Sequence, residues 1–212
     1  MSPLIDPLAT MTARLAEPGL SIGHRIIAEG DEGALLAGEA QLFQQASLQA
    51  KRQSGAARLV ARRLLAGYGH DGAAIGKAAS GAPLWPAGMV GSLAHDSGVA
   101  VAAVARSQDF TGVGIDIEPA ENLPGEMVDL VATPAERSRY APSVLHSRVL
   151  FVAKEAVYKA IHPLDGVFLD FHDIEIDLDR QVAIVRGART VSVRVGMSGH
   201  VVALAFVRAR GA

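Results

Sequence analysis

The segment 111–119, with the sequence TGVGIDIEP, constrains the fold of this chain more than any other stretch. Val113, Ile115 and Ile117 recur at every second position, which predicts a short strand with one buried apolar face. The two glycines of the segment stand on the opposite face, where the lack of a side chain allows another backbone to approach closely. The pattern therefore predicts a buried strand with a close neighbour on its second face.

The same strand ends in two carboxylates, Asp116 and Glu118. Because side chains alternate along a strand, both point to one side, about 7 Å apart. Carboxylate oxygens in that arrangement can be bridged by one hard cation. The alternative is a pair of acids on the solvated face of an edge strand, and this segment alone leaves both interpretations open.

A third carboxylate, Glu155, lies in the segment 143–162, whose apolar residues recur with helical periodicity. At 100° per residue, one stripe of this helix collects Val144, Arg148, Phe151, Val152, Glu155, Lys159 and His162. Glu155 and Lys159 could form an ordinary surface pair at i,i+4. They share the stripe with Phe and Val, however, and a buried Glu needs a partner. A metal held by the Asp116–Glu118 strand would supply one.

Four segments together resemble a known family. Residues 114–118 (GIDIE) and 151–159 (FVAKEAVYK) are similar to the two signature motifs of the 4′-phosphopantetheinyl transferases, at the expected separation. Residues 81–95 and 57–65 are similar to two further motifs of that family, in the same order. The resemblance is to the larger, monomeric type that activates carrier proteins of siderophore, peptide and polyketide synthases.

The resemblance implies an α+β fold of two similar halves related by a pseudo-twofold axis, with the active site in the cleft between them. The sequence itself shows only that helices precede strands twice along the chain. We place the halves at residues 1–115 and 116–212. The first would carry the basic helix that binds the phosphates of coenzyme A, and the second the metal site and the catalytic helix.

The activity implied by the resemblance is transfer of 4′-phosphopantetheine from coenzyme A to a serine of an apo carrier protein. Asp116, Glu118 and Glu155 would bind Mg²⁺, or Mn²⁺, which also suits carboxylates. Glu155 would be the base, with Asp116 and Lys159 as the other catalytic residues. The residues implied to bind coenzyme A are Lys51, Arg52, Arg58, Lys77, Ser92, Leu93, His95, Lys154, Lys159, Phe168 and Leu169.

The segment between Glu39 and Asp71 contains no acid but several basic residues. Arg58 and Arg62 share a helix face at i,i+4, where like charges repel. They belong either to a solvated basic face or to a site in which an anion compensates them. The resemblance implies that this anion is a phosphate of coenzyme A, although Ala57 stands where the family usually has Gly and a preceding aromatic residue is missing.

Composition excludes several other classes. A net charge of −2 argues against general nucleic-acid binding, and the lack of cysteine excludes disulfides and thiolate metal sites. No apolar run approaches the roughly 18 residues of a membrane span, and the N-terminus lacks the pattern of a secretory signal. We expect a cytoplasmic monomer. A metal-dependent phosphohydrolase and a non-catalytic module that binds coenzyme A or a carrier protein are the alternative functions.

The remaining local patterns predict individual elements. Glu136 is predicted to cap a helix that starts at Pro134 rather than to bind a ligand, and the helix 143–161 is expected to end before Pro163. A strand is predicted near 21–28, a helix at 54–66 that stops at Gly67, a hairpin of 89–94 and 98–105, a helix near 123–131, and strands near 174–176, 182–185, 191–195 and 201–207.

Overall fold

The computed structural model describes residues 6–140 and 144–209, without the side chain of Val144. Its helices are α1 (Pro7–Leu15), α2 (Ala37–Leu42), α3 (Leu48–Ala66), α4 (Gly125–Val131), α5 (Pro134–Tyr140) and α6 (Val144–Asp165). Its strands are β1 (Leu20–Ile26), β2 (Gly76–Lys77), β3 (Pro83–Leu84), β4 (Met89–His95), β5 (Val99–Arg106), β6 (Phe110–Pro119), β7 (Ile174–Asp177), β8 (Val182–Val185), β9 (Arg189–Ser198) and β10 (His200–Arg208).

Two antiparallel sheets, each covered by one long helix, form the body of the protein. The first sheet has the strand order β1-β5-β4 and packs against α3, and the second has the order β6-β10-β9-β8-β7 and packs against α6. A two-stranded ribbon of β2 and β3 lies beside the first sheet. The prediction of an α+β fold in two halves is therefore confirmed.

Strand β6 connects the two halves. It is hydrogen-bonded over its length to β10 of the second sheet and also packs against β4 of the first. Its apolar residues Val113, Ile115 and Ile117 join α1, β5 and β10 in one core. The boundary that we placed between residues 115 and 116 falls inside this strand, whereas the chain passes from one sheet to the other between Arg106 and Phe110.

The second face of β6 meets α6 at very short distance. A methyl group on Gly114 would overlap the carbonyl oxygen of Ala156 and lie 2.7 Å from the amide nitrogen of Ala160. A methyl group on Gly112 would overlap the carbonyl oxygen of Ala160. The predicted close neighbour is thus the backbone of α6, and the two glycines are what allow its approach.

Most of the predicted elements are present, with three differences. Helix α1 was not predicted, although Asp6 accepts a hydrogen bond from the amide of Leu8 as its N-cap and Pro7 occupies the first turn. Helix α3 begins at Leu48, where Ser47 caps it, six residues before the predicted start. Helix α6 continues past Pro163 to Asp165. A proline near the C-terminal end removes only one intrahelical hydrogen bond, so the last turn persists.

The described residues include no helix that is both long enough and apolar enough to span a bilayer.

Candidate active site

Asp116 and Lys159 form the central contact between β6 and α6. The Lys159 ammonium donates a hydrogen bond of 2.6 Å to Asp116 Oδ1. The carboxylate is buried, and burial raises its pKa while the Lys159 charge acts in the opposite direction. The predicted stripe of α6 therefore faces the acidic end of β6, as the helical periodicity indicated.

Glu118 lies on the same side of β6 and is partly exposed. Arg148 of α6 donates a hydrogen bond of 3.3 Å to Glu118 Oε2 and a second one, from Nε, to the carbonyl oxygen of Glu121. Desolvation and the neighbouring Asp116 charge raise the pKa of Glu118, while Arg148 offsets part of that rise. The first two predicted metal ligands are thus electrostatic neighbours, each paired with a cation from α6.

Glu155 is half-buried one helical turn before Lys159. Burial is the main cause that raises its pKa, and the charges of Asp116 and Glu118 raise it further. No side-chain hydrogen bond is formed by Glu155 to any residue in the ranges 6–140 and 144–209. Such a carboxyl group holds its proton more tightly than an ordinary Glu, which suits a group that must accept a proton near neutral pH.

The three carboxylates have the donor chemistry of a site for a hard divalent cation. They are close enough to raise one another's affinity for protons, and such a cation would relieve that repulsion. Their side chains do not close around a common point: within the described ranges, no group of three or more His, Asp or Glu side chains is arranged to hold a metal. Lys159 contacts one oxygen of Asp116 and Arg148 one oxygen of Glu118. The metal site remains a prediction.

His95 stands at the end of β4, on the side of the Asp116–Lys159 pair. Its ring is accessible to water, but the surrounding protein atoms remove part of its hydration. This partial desolvation is the main cause that lowers the pKa of His95, and the Lys159 charge lowers it further. The turn that follows is built as predicted, since Asp96 Oδ1 accepts hydrogen bonds from the amides of Gly98 and Val99. The structure thus brings His95 from the first half beside carboxylates of the second.

A cleft of about 320 Å³ opens next to this cluster, between the β2–β3 ribbon, β4, β6 and α6. Four of the residues predicted to bind coenzyme A line it, namely Lys77, Ser92, Leu93 and Lys159. Trp85 lies against Gly91 in the wall, where a methyl group on Gly91 would come within 2.8 Å of the indole. Because residues of both halves line the cleft, it lies where the resemblance placed the active site.

A second cavity, of about 200 Å³, lies on the other side of Tyr158. Glu155, Phe168 and Leu169 line it, and Tyr158 belongs to both cavities. Phe168 is 75% exposed and meets the Tyr158 ring edge-on at 6.0 Å, whereas Leu169 is buried. The assignment of Phe168 and Leu169 to the pantetheine arm stays a prediction, with both residues beside the candidate base.

Lys154 is engaged by the protein itself, and its contacts give no support to its assignment to phosphate binding. Its ammonium is fully buried and donates to Glu136 Oε2 at 2.7 Å and to the carbonyl oxygens of Val131 and Phe171 at 2.8 and 2.9 Å. An ammonium has three hydrogens, and all three are used. Glu136 is the capping residue that the sequence predicted, since it accepts a hydrogen bond from the amide of Thr133, and it also receives the buried lysine.

Arg58 is likewise an internal residue. It is 5% exposed, its Nε donates to the carbonyl oxygen of Ile75 at 3.0 Å, and its guanidinium lies over the ring of Phe43. The anion that compensates Arg58 and Arg62 is Glu39, which Arg62 Nη1 approaches to 2.9 Å and Arg58 Nε to 3.8 Å. The assignment of Arg58 to a phosphate of coenzyme A therefore has no support from these contacts, because the chain supplies its own anion.

Lys51 and Arg52 make local contacts instead of lining the cleft. Lys51 donates to the carbonyl oxygen of Gln44 at 3.2 Å. Arg52 donates to Glu32 Oε2 at 2.9 Å and lies 3.7 Å from Glu29. Their assignment to coenzyme A binding has no support from these contacts.

Comparison with protein families identifies the chain. Residues 38–105 match the family described as "4′-phosphopantetheinyl transferase N-terminal domain", and residues 112–205 match the "4′-phosphopantetheinyl transferase superfamily". The chain belongs to the 4′-phosphopantetheinyl transferase superfamily. The boundary between the two matched segments falls in the Arg106–Phe110 connection, where this superfamily member passes from its first sheet to its second.

Curated relatives agree with this assignment. The chain is 42% identical over 144 residues to the 4′-phosphopantetheinyl transferase Npt of Nocardia iowensis, and 41% identical over 145 residues to PptT of Mycobacterium tuberculosis. It is 36% identical over 140 residues to enterobactin synthase component D of Escherichia coli. In the order given, the matches cover 66%, 66% and 62% of this chain. They cover 65%, 64% and 65% of the respective relatives, so this chain spans slightly less than two thirds of the length of each relative.

Sequence reasoning missed three residues of the candidate site. Arg148 was placed on the correct helix face without a role, and it pairs with Glu118. Tyr158 and His162 of α6 line the cleft, with ring centroids 5.1 Å apart. The available signal was their spacing from Glu155, since positions three and seven residues further on lie on the same face of a helix.

Proposed function

We propose that this protein transfers 4′-phosphopantetheine from coenzyme A to a serine hydroxyl of an apo carrier protein, in a reaction that requires Mg²⁺. The observation that carries the proposal is the junction of β6 and α6. There, Lys159 lines a cleft whose opposite wall comes from the first half, and it bonds Asp116, whose charge acts on Glu118 and Glu155 beside it. Membership of the superfamily and its named relatives support the same activity.

The residues of this chain have separate tasks in that reaction. The serine oxygen forms a bond to the β-phosphorus of coenzyme A, and the bond from that phosphorus to the bridging oxygen breaks, which releases adenosine 3′,5′-bisphosphate. Glu155 takes the serine proton, for which its raised pKa is suitable. Lys159 lies where it can stabilise negative charge on the leaving oxygen and donate a proton to it.

Asp116, Glu118 and Glu155 would hold the cation, which, when bound, polarises the phosphate oxygens. Lys77 and Ser92, in the opposite wall, would hold the phosphates of the nucleotide by charge and by a hydroxyl hydrogen bond. His95 adds a donor beside Lys159. The apolar part of the wall, which includes Trp85 and Leu93, excludes water from one side of the cleft.

The experiment is the intact mass of an apo carrier protein after incubation with this protein, coenzyme A and Mg²⁺. A gain of one phosphopantetheine on the carrier supports the proposal, and the gain should vanish in chelator and return when Mg²⁺ is restored in excess. Asp116→Asn should be inactive. Glu175→Gln, which alters an exposed acid of β7, is the matched control and should retain full activity.

Two results would contradict the proposal in different ways. Release of adenosine 3′,5′-bisphosphate without any change in the mass of the carrier would indicate a phosphohydrolase. The protein would be a binding module if it bound coenzyme A but released no bisphosphate when apo carriers of fatty-acid, polyketide and peptide type were supplied in turn.

A further inference from the structure

The charge of the main cleft is one-sided. Among the described residues that line it, Lys77 and Lys159 carry positive charge, His162 can acquire it, and none is an Asp or a Glu. Asp116, which pairs with Lys159 at 2.6 Å, is not among the lining residues, so the lining of this cleft of about 320 Å³ presents positive charge without an acid and favours an anionic ligand. The two lysines were predicted from the sequence to bind coenzyme A, whereas His162 was not.

His162 is half-buried near the end of α6, one turn after Tyr158 and three residues after Lys159. Its ring packs against the Tyr158 ring, with the centroids 5.1 Å apart and the planes inclined by 36°. Within the described ranges, no side chain is hydrogen-bonded to the His162 ring. The imidazole is therefore held in place by packing while both ring nitrogens remain available.

The charged groups around His162 come from α6 itself and from two other elements, β2 and β9. Lys159 shares its helix face, and Lys77 faces it from β2 across the cleft. The lining segment 111–113 of β6 carries no charge. The charge of Asp165, at the end of α6, interacts with that of His162, and Arg189 of β9 also pairs with this carboxylate at 2.8 Å. Asp165 is not among the residues that line the cleft, so His162 faces the cleft without an acid in its lining.

We propose that His162 is a third cationic binding group of this cleft, which contacts a phosphate of coenzyme A through a ring N–H and binds it more tightly when protonated. This inference rests on the proposed function, because it takes coenzyme A as the ligand. An imidazole gains its second N–H donor and its charge in the range between about pH 5 and 8. Binding of the anion favours the protonated ring, so this contribution to affinity is present at low pH and is lost as the pH rises.

The test is calorimetric titration of the full chain with coenzyme A at pH 5.5, 6.5, 7.5 and 8.5, at constant Mg²⁺ and ionic strength. His162→Gln keeps a hydrogen-bond donor and removes the charge, and His162→Phe keeps an aromatic ring against Tyr158. The control His172→Gln alters an exposed histidine that contacts the carbonyl oxygen of Asp129, outside the cleft. The phosphates of the ligand and His95 titrate in every variant, so the difference between variants isolates His162.

We expect both His162 variants to bind coenzyme A about tenfold more weakly than the wild type at pH 5.5 and within about twofold of it at pH 8.5, which corresponds to the loss of one charge-assisted contact. His172→Gln should follow the wild type at every pH. Parallel pH curves for the wild type and both His162 variants would overturn the inference while leaving the proposed function intact. Failure of the wild type to bind coenzyme A at any pH would overturn both.

Discussion

Lys159 of α6 and Asp116 of β6 are joined by a hydrogen bond of 2.6 Å, so the candidate site is already neutralised in part by the protein itself. The pair connects α6, which carries Glu155, to β6, which carries Glu118. Because it lies in the partly buried mouth of the cleft, it has consequences for stability as well as for chemistry.

Replacement of Lys159 by Met should lower the free energy of unfolding by about 1–3 kcal/mol, because it leaves the buried Asp116 carboxylate without its charged donor. Chemical denaturation measures this loss. Lys51→Met removes a partly exposed lysine that donates only to a carbonyl oxygen, and it should change stability by less than about 0.5 kcal/mol. Equal stabilities of the two variants would show that the Asp116–Lys159 contact contributes nothing to the fold.

Replacement of Glu155 by Gln should lower kcat for carrier modification by at least about 10²-fold, a typical loss when a general base is removed.

The Glu155→Gln variant should also gain stability relative to the wild type as the pH rises. Since the folded-state pKa of Glu155 is raised, the stability that its neutral form contributes is fully present below the unfolded pKa, near 4.3, and is lost as the pH rises through the folded pKa.

The measurement is denaturation of the wild type and of Glu155→Gln in chelator between pH 4 and 8. Their stabilities should be similar at the acid end and should diverge in favour of the variant towards pH 8. Parallel curves would mean that the Glu155 carboxyl titrates alike in the folded and unfolded chain, and kcat within a few-fold of the wild type would remove its role as the base.

Replacement of Lys154 by Met should destabilise the fold by about 3–5 kcal/mol, because the buried Glu136 loses its counter-charge. Denaturation should also show that the double variant Lys154→Met with Glu136→Gln is more stable than Lys154→Met alone. At temperatures where the single variant is folded, its affinity for coenzyme A should equal that of the wild type. A stable Lys154→Met protein with weakened coenzyme A binding would restore the phosphate role that the resemblance implied.

Replacement of Arg58 by Ala should weaken coenzyme A and dephospho-coenzyme A by the same factor, since Arg58 is buried against Ile75 and Glu39 rather than in the cleft. Titration of both proteins with both ligands measures the two factors. A loss of about tenfold or more for coenzyme A alone would show that Arg58 binds the 3′-phosphate, because one charge-assisted contact is worth about that much.

Replacement of Gly114 by Ala should destabilise the protein by at least about 3 kcal/mol or prevent its folding, because the new methyl group meets the backbone of α6. The control is Gly38→Ala in α2, where a methyl group meets no atom within 4 Å and the higher helix propensity of Ala should stabilise by about 0.5–1 kcal/mol. Thermal unfolding of both variants separates the two outcomes.

The β6–α6 junction was predictable from sequence because both of its elements carry local periodicity. Alternation placed Asp116 and Glu118 on one side of a strand, and the helical stripe placed Glu155 and Lys159 opposite them. The roles of Lys154 and Arg58 were not predictable in the same way. Their partner acids, Glu136 and Glu39, stand 18 and 19 positions earlier in the chain, and no short-range pattern connects residues at such separations.

Motif matching also has a physical limit, which Lys154 illustrates. A motif fixes the type of residue and its helix face, while burial decides whether an ammonium points to a ligand or to the protein. The face that carries Lys154 is covered by α4, α5 and the segment after Asp170, and this covering depends on tertiary packing. The missed helix α1 is the opposite case, because its capping aspartate and proline were visible in the sequence.

Ile75 is held at both of its backbone groups by the buried charges of the first half. Glu39 Oε1 accepts a hydrogen bond of 2.7 Å from its amide, and Arg58 donates one to its carbonyl oxygen. Lys77 follows two residues later and enters the cleft from this fixed point. The position of the cleft wall therefore depends on an ion pair that does not line the cleft. Loss of the Glu39 charge should consequently weaken ligand binding by shifting Lys77, without removing any direct contact to the ligand.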